Sequence, residues 1–201
     1  MRKIRKNYKV GIKTNCIVHS KTIKHYMSNW TTVLDTAGLA VVTGGASGFG
    51  YETSTRLLKA GMAVAILDIS IKELANAQKS LGEIAAANNT KVHGIQCNVT
   101  KKSDCINAAN EIAKHFPNKQ ISFLFNNAGI NGNATGGILQ SDTEAWKGIF
   151  AVNVYGAVNI LQVFTDIIVK QGKLASGKNA HVVTTSSVVG LLNHNPGYVF
   201  L

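Results

Sequence analysis

Proline is scarce in this chain of 201 residues, with only two, and cysteine is nearly so, with three. Cys16, Cys97 and Cys105 form neither a CxxC pair nor a Cys/His cluster, which disfavours zinc. An odd count without a secretory apolar core points to reduced thiols in an intracellular protein, and Cys97 reads as a buried strand residue. No run approaches the roughly 20 apolar residues that span a bilayer, so neither a transmembrane helix nor a membrane partner is expected. Acidic residues are missing from one end only. Residues 1–26 hold eight Lys or Arg and no Asp or Glu, against thirteen basic and ten acidic residues elsewhere. The net charge of +11 is therefore mainly a property of that tail, and the body carries ordinary solvated surface charge.

Residues 1–36 keep no sustained helical or strand period and read as a basic, disordered extension. A mitochondrial-type presequence is the alternative, although it would be richer in Arg, Ser and amphipathic Leu or Ala. A nucleic-acid-binding arm is a third reading, and nucleic acid is not the expected partner. Met27 could equally serve as a start. The expected location is cytoplasmic, with mitochondrial as the alternative.

What the chain does have is glycine, 19 residues of it, and 45% hydrophobic residues, enough for one sizeable core. Residues 37–201 read as one domain built from alternating strands and helices. Strands are expected at 39–43, 62–68, 92–99, 121–125 and 181–185. Helices are expected at 48–60, from Ser70 to Asn88, from Thr100 or Ser103 to Pro117, and over 141–171. Ser70 to Glu73 and Ser141 to Glu144 have capping-box spacing. Ile71, Leu74, Leu81 and Ile84/Ala85 mark the buried face of the second helix. This alternation predicts an α/β fold, a doubly wound parallel sheet with helices on both faces. Its ligand crevice would lie at the carboxyl ends of the strands, where the loops after strands one, four and five are polar and glycine-rich.

The most informative loop follows the first strand. Thr43-Gly44-Gly45-Ala46-Ser47-Gly48-Phe49-Gly50 is not a G-x-G-x-x-G fingerprint, because Thr53 occupies the third glycine position. No Gly-Lys-Ser/Thr follows it either, which excludes a P-loop. Strand, glycine loop and helix still bring backbone N–H groups and a helix N-terminus against a phosphate. Asp68 ends the second strand, where a carboxylate can accept from the ribose hydroxyls of NAD and repel the 2′-phosphate of NADP. Neither Ala46 nor Ser47 is basic, so NAD is favoured over NADP.

Four motifs in order, Thr43 to Gly50, Asn126-Asn127-Ala128-Gly129, Val152-Asn153-Val154-Tyr155-Gly156 and Ser186-Ser187-Val188-Val189-Gly190, resemble those of the short-chain dehydrogenase/reductase family. The resemblance implies a Rossmann-like domain with five strands present, incomplete relative to the family. It implies an oxidoreductase that moves a hydride between nicotinamide and a small-molecule secondary alcohol or ketone, and a homo-oligomer in the family's full-length form. Thr43, Gly44, Ser47, Gly48, Phe49, Gly50, Asp68, Ile69, Asn98, Val99, Asn126, Ala128 and Gly129 would bind the cofactor. Asn98 stands where the family commonly has an adenine-binding Asp, and its side-chain oxygen could still accept from the adenine amino group. Asn153 and Ser187 would be catalytic, Asn153 through a helix kink that frees a carbonyl and Ser187 by hydrogen-bonding the reacting oxygen. No metal is implied.

The family's Tyr-x-x-x-Lys pair is absent from the 201 residues; Tyr198 lies close, and no Lys follows Lys178. The expectation is therefore a dehydrogenase truncated at its C-terminus, or alternatively an inactive NAD-binding or interaction protein of the same fold. Either way, apolar surface on strand five and on the long helix is expected to be exposed.

Overall fold

A run of apolar residues with no polar partner positions cannot alternate between core and solvent, so both faces of the strand it forms must be covered. Leu39–Thr43 is that strand, β1, and all five residues are buried. The computed structural model describes residues 33–131 and 142–187. The chain separates into Met1–Trp30 and Thr31–Leu201, and the second unit holds every element that follows.

After β1 come helix α1 (Gly48–Lys59), strand β2 (Ala63–Asp68), α2 (Ile71–Ala87), β3 (Val92–Gln96), α3 (Lys102–His115) and β4 (Ile121–Asn126). Helix α4 (Thr143–Phe150) then passes through a π-helical turn, Ala151–Gly156, into α5 (Ala157–Gln171), and β5 is His181–Thr184. The strands form one parallel sheet in the order β3-β2-β1-β4-β5. Leu39 and Val41 share a buried cluster with Cys105 and Ile112 of α3 and with Ile160 and Phe164 of α5. The alternate residues Ala40, Val42, Val64 and Ile66 are buried on the opposite face, beneath α1 and α2. Each fully buried Val, Leu, Ile or Phe contributes roughly 1.5–3 kcal/mol, which makes this two-sided sheet the main source of stability.

Several boundaries differ from the sequence reading for local reasons. Strand three stops at Gln96 rather than 99, because Asn98 turns the chain by accepting from Thr100 N at 3.0 Å and from Thr100 Oγ1 at 2.8 Å. Helix α3 consequently begins after Lys101, which makes no side-chain cap, and neither Thr100 nor Ser103 serves as one. Ser70 does cap α2, accepting from Glu73 N at 3.3 Å. The return bond of a capping box is replaced, since Ser70 N donates to Asp68 Oδ1 at 3.2 Å. Ile71, expected on the buried face, is 65% exposed in the first turn, and Leu74, Ala77, Leu81 and Ala85 form that face instead. Helix α4 is capped by Asp142, which accepts from Glu144 N at 3.1 Å, while Ser141 lies outside the described residues.

The expected extension also ends earlier than residue 36. Asp35 is buried, accepts from Ala37 N and Ser176 Oγ through its carboxylate, and offers its carbonyl to Ser122 Oγ at 2.9 Å. The rest of the basic tail, the loop from Gly132 to Gly137, Val188 to Gly190 and Tyr198 fall outside the described residues.

One expectation about membranes is corrected. The continuous helical run Thr143–Gln171 spans 29 residues, long and apolar enough by length and composition to cross a bilayer. Ile149, Ile160 and Phe164 on its inner side are fully buried against the sheet cluster or its neighbours. Its outer face is apolar too: Tyr155 is 64% exposed and Val169 71%, and Val182 and Val183 are exposed on the edge strand β5. The sequence reading anticipated that surface.

Candidate functional site

The sheet order reverses at β1, with β2 on one side and β4 on the other, so the loops leaving β1 and β4 diverge and open a crevice at the strands' carboxyl ends. The first wall is the glycine loop. Gly44 has φ +62°, and a Cβ there would sit 3.1 Å from Ala128 Cα, so only glycine lets the two loops approach this closely. A Cβ on Gly50 would overlap the Gly44 carbonyl oxygen, which makes Gly50 the packing contact between loop and helix.

Helix α1 presents its N-terminus to the crevice in an uncapped form. Ser47 makes no side-chain cap and the first turn holds no acidic residue, whereas α2, α3 and α4 carry Glu73, Asp104 and Glu144 in theirs. The first N–H groups of a helix lack intrahelical acceptors and carry the positive end of its dipole. Here they are left for an anion from outside.

Two polar side chains fix this loop in place. Asp68 accepts from Ala46 N through Oδ2 and from Ser70 N through Oδ1, each at 3.2 Å, tying the glycine loop to the end of β2. Thr43 Oγ1 accepts from Asn127 N at 2.8 Å and Ala128 N at 2.9 Å. Asn127 extends that link in both directions. Its Nδ2 donates to Thr43 O at 3.1 Å, and its Oδ1 accepts from Thr185 Oγ1 at 2.9 Å. The ends of β1, β4 and β5 are thus joined through the side chains of Thr43, Asn127 and Thr185.

The π turn builds the far wall. Asn126 Nδ2 donates to Ala157 O at 3.1 Å, joining β4 to the start of α5. Asn153 lies inside the turn, and its amide pairs twice with one residue of the β4 loop, accepting from Ile130 N at 2.9 Å and donating to Ile130 O at 3.0 Å. On the other side, a Cβ on Gly156 would meet Val99 Cγ2 at 2.6 Å, so the wide turn is pressed against the segment that follows β3.

Between these walls lies a cleft of about 610 Å³. It runs from Ser47, Phe49 and Ile69 past Asn98 to Asn153 and Ser187. Phe49 and Ile69, 79% and 60% exposed, place apolar surface at the mouth, a site suited to a flat aromatic ring. Every residue expected to bind or react lines the cleft except two. Thr43 is fully buried with its hydroxyl given to Asn127 and Ala128, and Gly50 is buried behind the loop, so both shape the wall from within. Asn98 lines the cleft, but its oxygen is engaged by Thr100, which leaves the amide nitrogen as the group it can offer. The Asn126–Gly129 motif includes Asn127 but does not announce the role of its side chain, and no sequence pattern marks Ile130 or Thr185 as site residues.

The sequence profile described as short chain dehydrogenase matches residues 38–200. Short-chain dehydrogenase reductase 4 of Arabidopsis thaliana is 34% identical over 165 residues, covering 81% of this chain and 49% of that protein. Among solved structures, a short-chain dehydrogenase/reductase from Burkholderia phymatum in complex with NAD is 30% identical with a TM-score of 0.69, over 81% of this chain and 53% of that one. An NAD+-bound xylitol dehydrogenase is 26% identical with a TM-score of 0.70, over 81% and 57%. The chain thus spans about half the length of the relatives it matches.

Proposed function

The chain belongs to the short-chain dehydrogenase/reductase family, and from that premise we propose that its cleft binds NAD and serves hydride transfer between nicotinamide and a secondary alcohol or ketone. The observation that carries this reading is the uncapped, acid-free N-terminus of α1 behind a glycine loop that closes on Ala128. The cofactor's pyrophosphate is the anion those free N–H groups suit. Phe49 and Ile69 would flank the adenine, and the Asn98 amide would donate to a ring nitrogen. The Asp68 carboxylate retains lone pairs beyond its bonds to Ala46 and Ser70, and these would accept from the ribose hydroxyls. A 2′-phosphate there would meet a fixed negative charge, which favours NAD over NADP.

Bound nicotinamide supplies the two-electron chemistry. With an alcohol as substrate, the hydride would go from the carbinol carbon to nicotinamide and the hydroxyl proton to a base, leaving the ketone. Ser187 would donate to the substrate oxygen as charge develops on it. Asn153 would act through position, by holding Ile130 and with it the floor of the cleft. No Tyr-x-x-x-Lys pair occurs in the 201 residues, so the group that moves the proton is not assigned among them. The second reading is nucleotide binding without turnover.

Fluorescence titration of the 201-residue chain tests the first part. NADH is expected to bind at least ~10-fold more tightly than NADPH, and Asp68→Asn to narrow that gap. NADPH binding as tightly as NADH would refute the assignment. Oxidation of secondary alcohols with NAD that Ser187→Ala slows supports turnover. Tight NADH binding with no turnover selects the second reading.

A further inference from the structure

The end of the cleft that lies between β3 and α3 has mostly one kind of hydrogen bond left to make. The chain turns there over Asn98, Val99, Thr100 and Lys101, closed by Lys101 N donating to Asn98 O at 2.9 Å. A side-chain turn lies inside it, since Asn98 Oδ1 accepts from Thr100 N at 3.0 Å and from Thr100 Oγ1 at 2.8 Å. Those bonds fix which way the amide faces. The Thr100 N–H can be met only by an acceptor, so the oxygen is turned to Thr100 and Nδ2 lies on the other side. Asn98 lines the cleft, and its Nδ2 has no partner among the described residues. The Val99 N–H, at the corner of the turn, is also without a partner among the described residues. Val99 is only 8% exposed and lines the same cleft, and a buried backbone donor of this kind calls for an acceptor from outside.

The acceptors around these two donors are already engaged. The carbonyls of Leu67, Asp68, Ile69, Asn98 and Val99 take hydrogen bonds from Gly45 N, Cys97 N, Gln96 Nε2, Lys101 N and Asn159 Nδ2 in turn. The Asp68 carboxylate is tied to Ala46 N and Ser70 N and is the group read above as holding the ribose. What remains beside the exposed apolar faces of Phe49 and Ile69 is a pair of neighbouring donors. We infer that this end of the cleft prefers a 6-oxopurine to adenine, so that nicotinamide hypoxanthine dinucleotide is bound more tightly than NAD. The inference rests on the dinucleotide reading above and concerns its base. Along the edge that carries N7 and the 6-substituent, adenine presents an acceptor beside an amine donor, whereas a 6-oxopurine presents two acceptors, N7 and O6. Two donors on the wall match the second pattern. Adenine satisfies one of them through N7 and turns its amine towards the other, which leaves donor facing donor and both unpaired. NAD still enters through its pyrophosphate and ribose, but its base gains nothing from the amine.

The test is a fluorescence titration of the full chain with NADH and with reduced nicotinamide hypoxanthine dinucleotide, which differ only in the 6-amino or 6-oxo group of the purine. The hypoxanthine form is expected to bind at least ~5-fold more tightly. Asn98→Asp keeps one oxygen for Thr100 and sets a second where Nδ2 stood, an acceptor for the amine and a repulsive partner for O6. The order should then reverse, with NADH the tighter ligand. NADH binding as tightly as the hypoxanthine form, or more tightly, in the unaltered chain overturns the inference and leaves the NAD reading standing. So does a preference for the hypoxanthine form that Asn98→Asp leaves unchanged. Absence of binding by both ligands defeats the dinucleotide reading and this inference with it. The comparison in the unaltered chain decides by itself if the variant fails to fold.

Discussion

A single hydroxyl joins the two loops of the cleft, and its removal has a calculable cost. Thr43→Val keeps the shape of the side chain and removes the acceptor for Asn127 N and Ala128 N. Both N–H groups lie in a part-buried setting, and an unsatisfied backbone donor costs about 1–3 kcal/mol, so the pair costs about 2–6 kcal/mol. The methyl that replaces the hydroxyl returns up to about 0.8 kcal/mol of apolar burial, leaving a net loss near 3 kcal/mol. Thr43→Ser makes the opposite exchange, keeping the acceptor and losing one methyl, for about 1 kcal/mol. Urea unfolding followed by circular dichroism, with a slope of about 2 kcal/mol per molar, should lower the midpoint by about 1.5 M for Val and about 0.5 M for Ser. Packing alone predicts the reverse order, because valine is the more apolar residue on a strand that is fully buried. A valine variant as stable as the serine variant, or more so, would refute the role given to this oxygen.

Other expectations follow from the same geometry. Gly50→Ala forces a Cβ onto the Gly44 carbonyl, and should abolish NADH binding and lower the thermal midpoint by several degrees, both measurable in one calorimetric series. Asn153→Ala releases Ile130 N and O together; amide exchange at Ile130 should rise well above wild type while exchange at Leu124 in β4 stays unchanged. His93 is held below its usual range by burial and then by His115 and Lys91, so the folded state prefers the neutral ring. Its contribution is fully present above pH 6.5 and falls as the unfolded state takes up a proton below that value. The urea midpoint should therefore drop between pH 7.5 and 5.5, and His93→Phe should flatten that part of the profile.

Periodicity made the sheet legible, because β1, β2 and β4 are apolar on both faces and only a covered parallel sheet accommodates such runs. The cleft was legible where side-chain type announces geometry, as with Gly44, Asp68 and Asn126. It was not legible where backbone conformation decides. The shortening of β3 depends on how the Asn98 oxygen folds onto Thr100, a choice composition does not encode. Thr43 and Gly50 sit in the motif sequence yet act from behind the wall, since a linear pattern does not distinguish a residue that faces the ligand from one that holds its neighbour. Ile130 contributes through its backbone, which sequence cannot single out.

The strand order also sets a schedule for folding during synthesis. Strand β2 adds to one edge of β1 and β3 to β2, each from the residues that immediately follow, through one helical crossover apiece. The other edge of β1 is the sheet's centre in the finished protein, yet its partner β4 is made about 80 residues later, on the order of 4–16 s at ordinary elongation rates. During that interval Leu39 to Val42 present open hydrogen-bonding groups and apolar side chains to solvent or to a chaperone. The nascent chain is most vulnerable to aggregation then, and the arrival of Ile121–Asn126 ends the exposure at the same moment as it delivers Asn127 to Thr43.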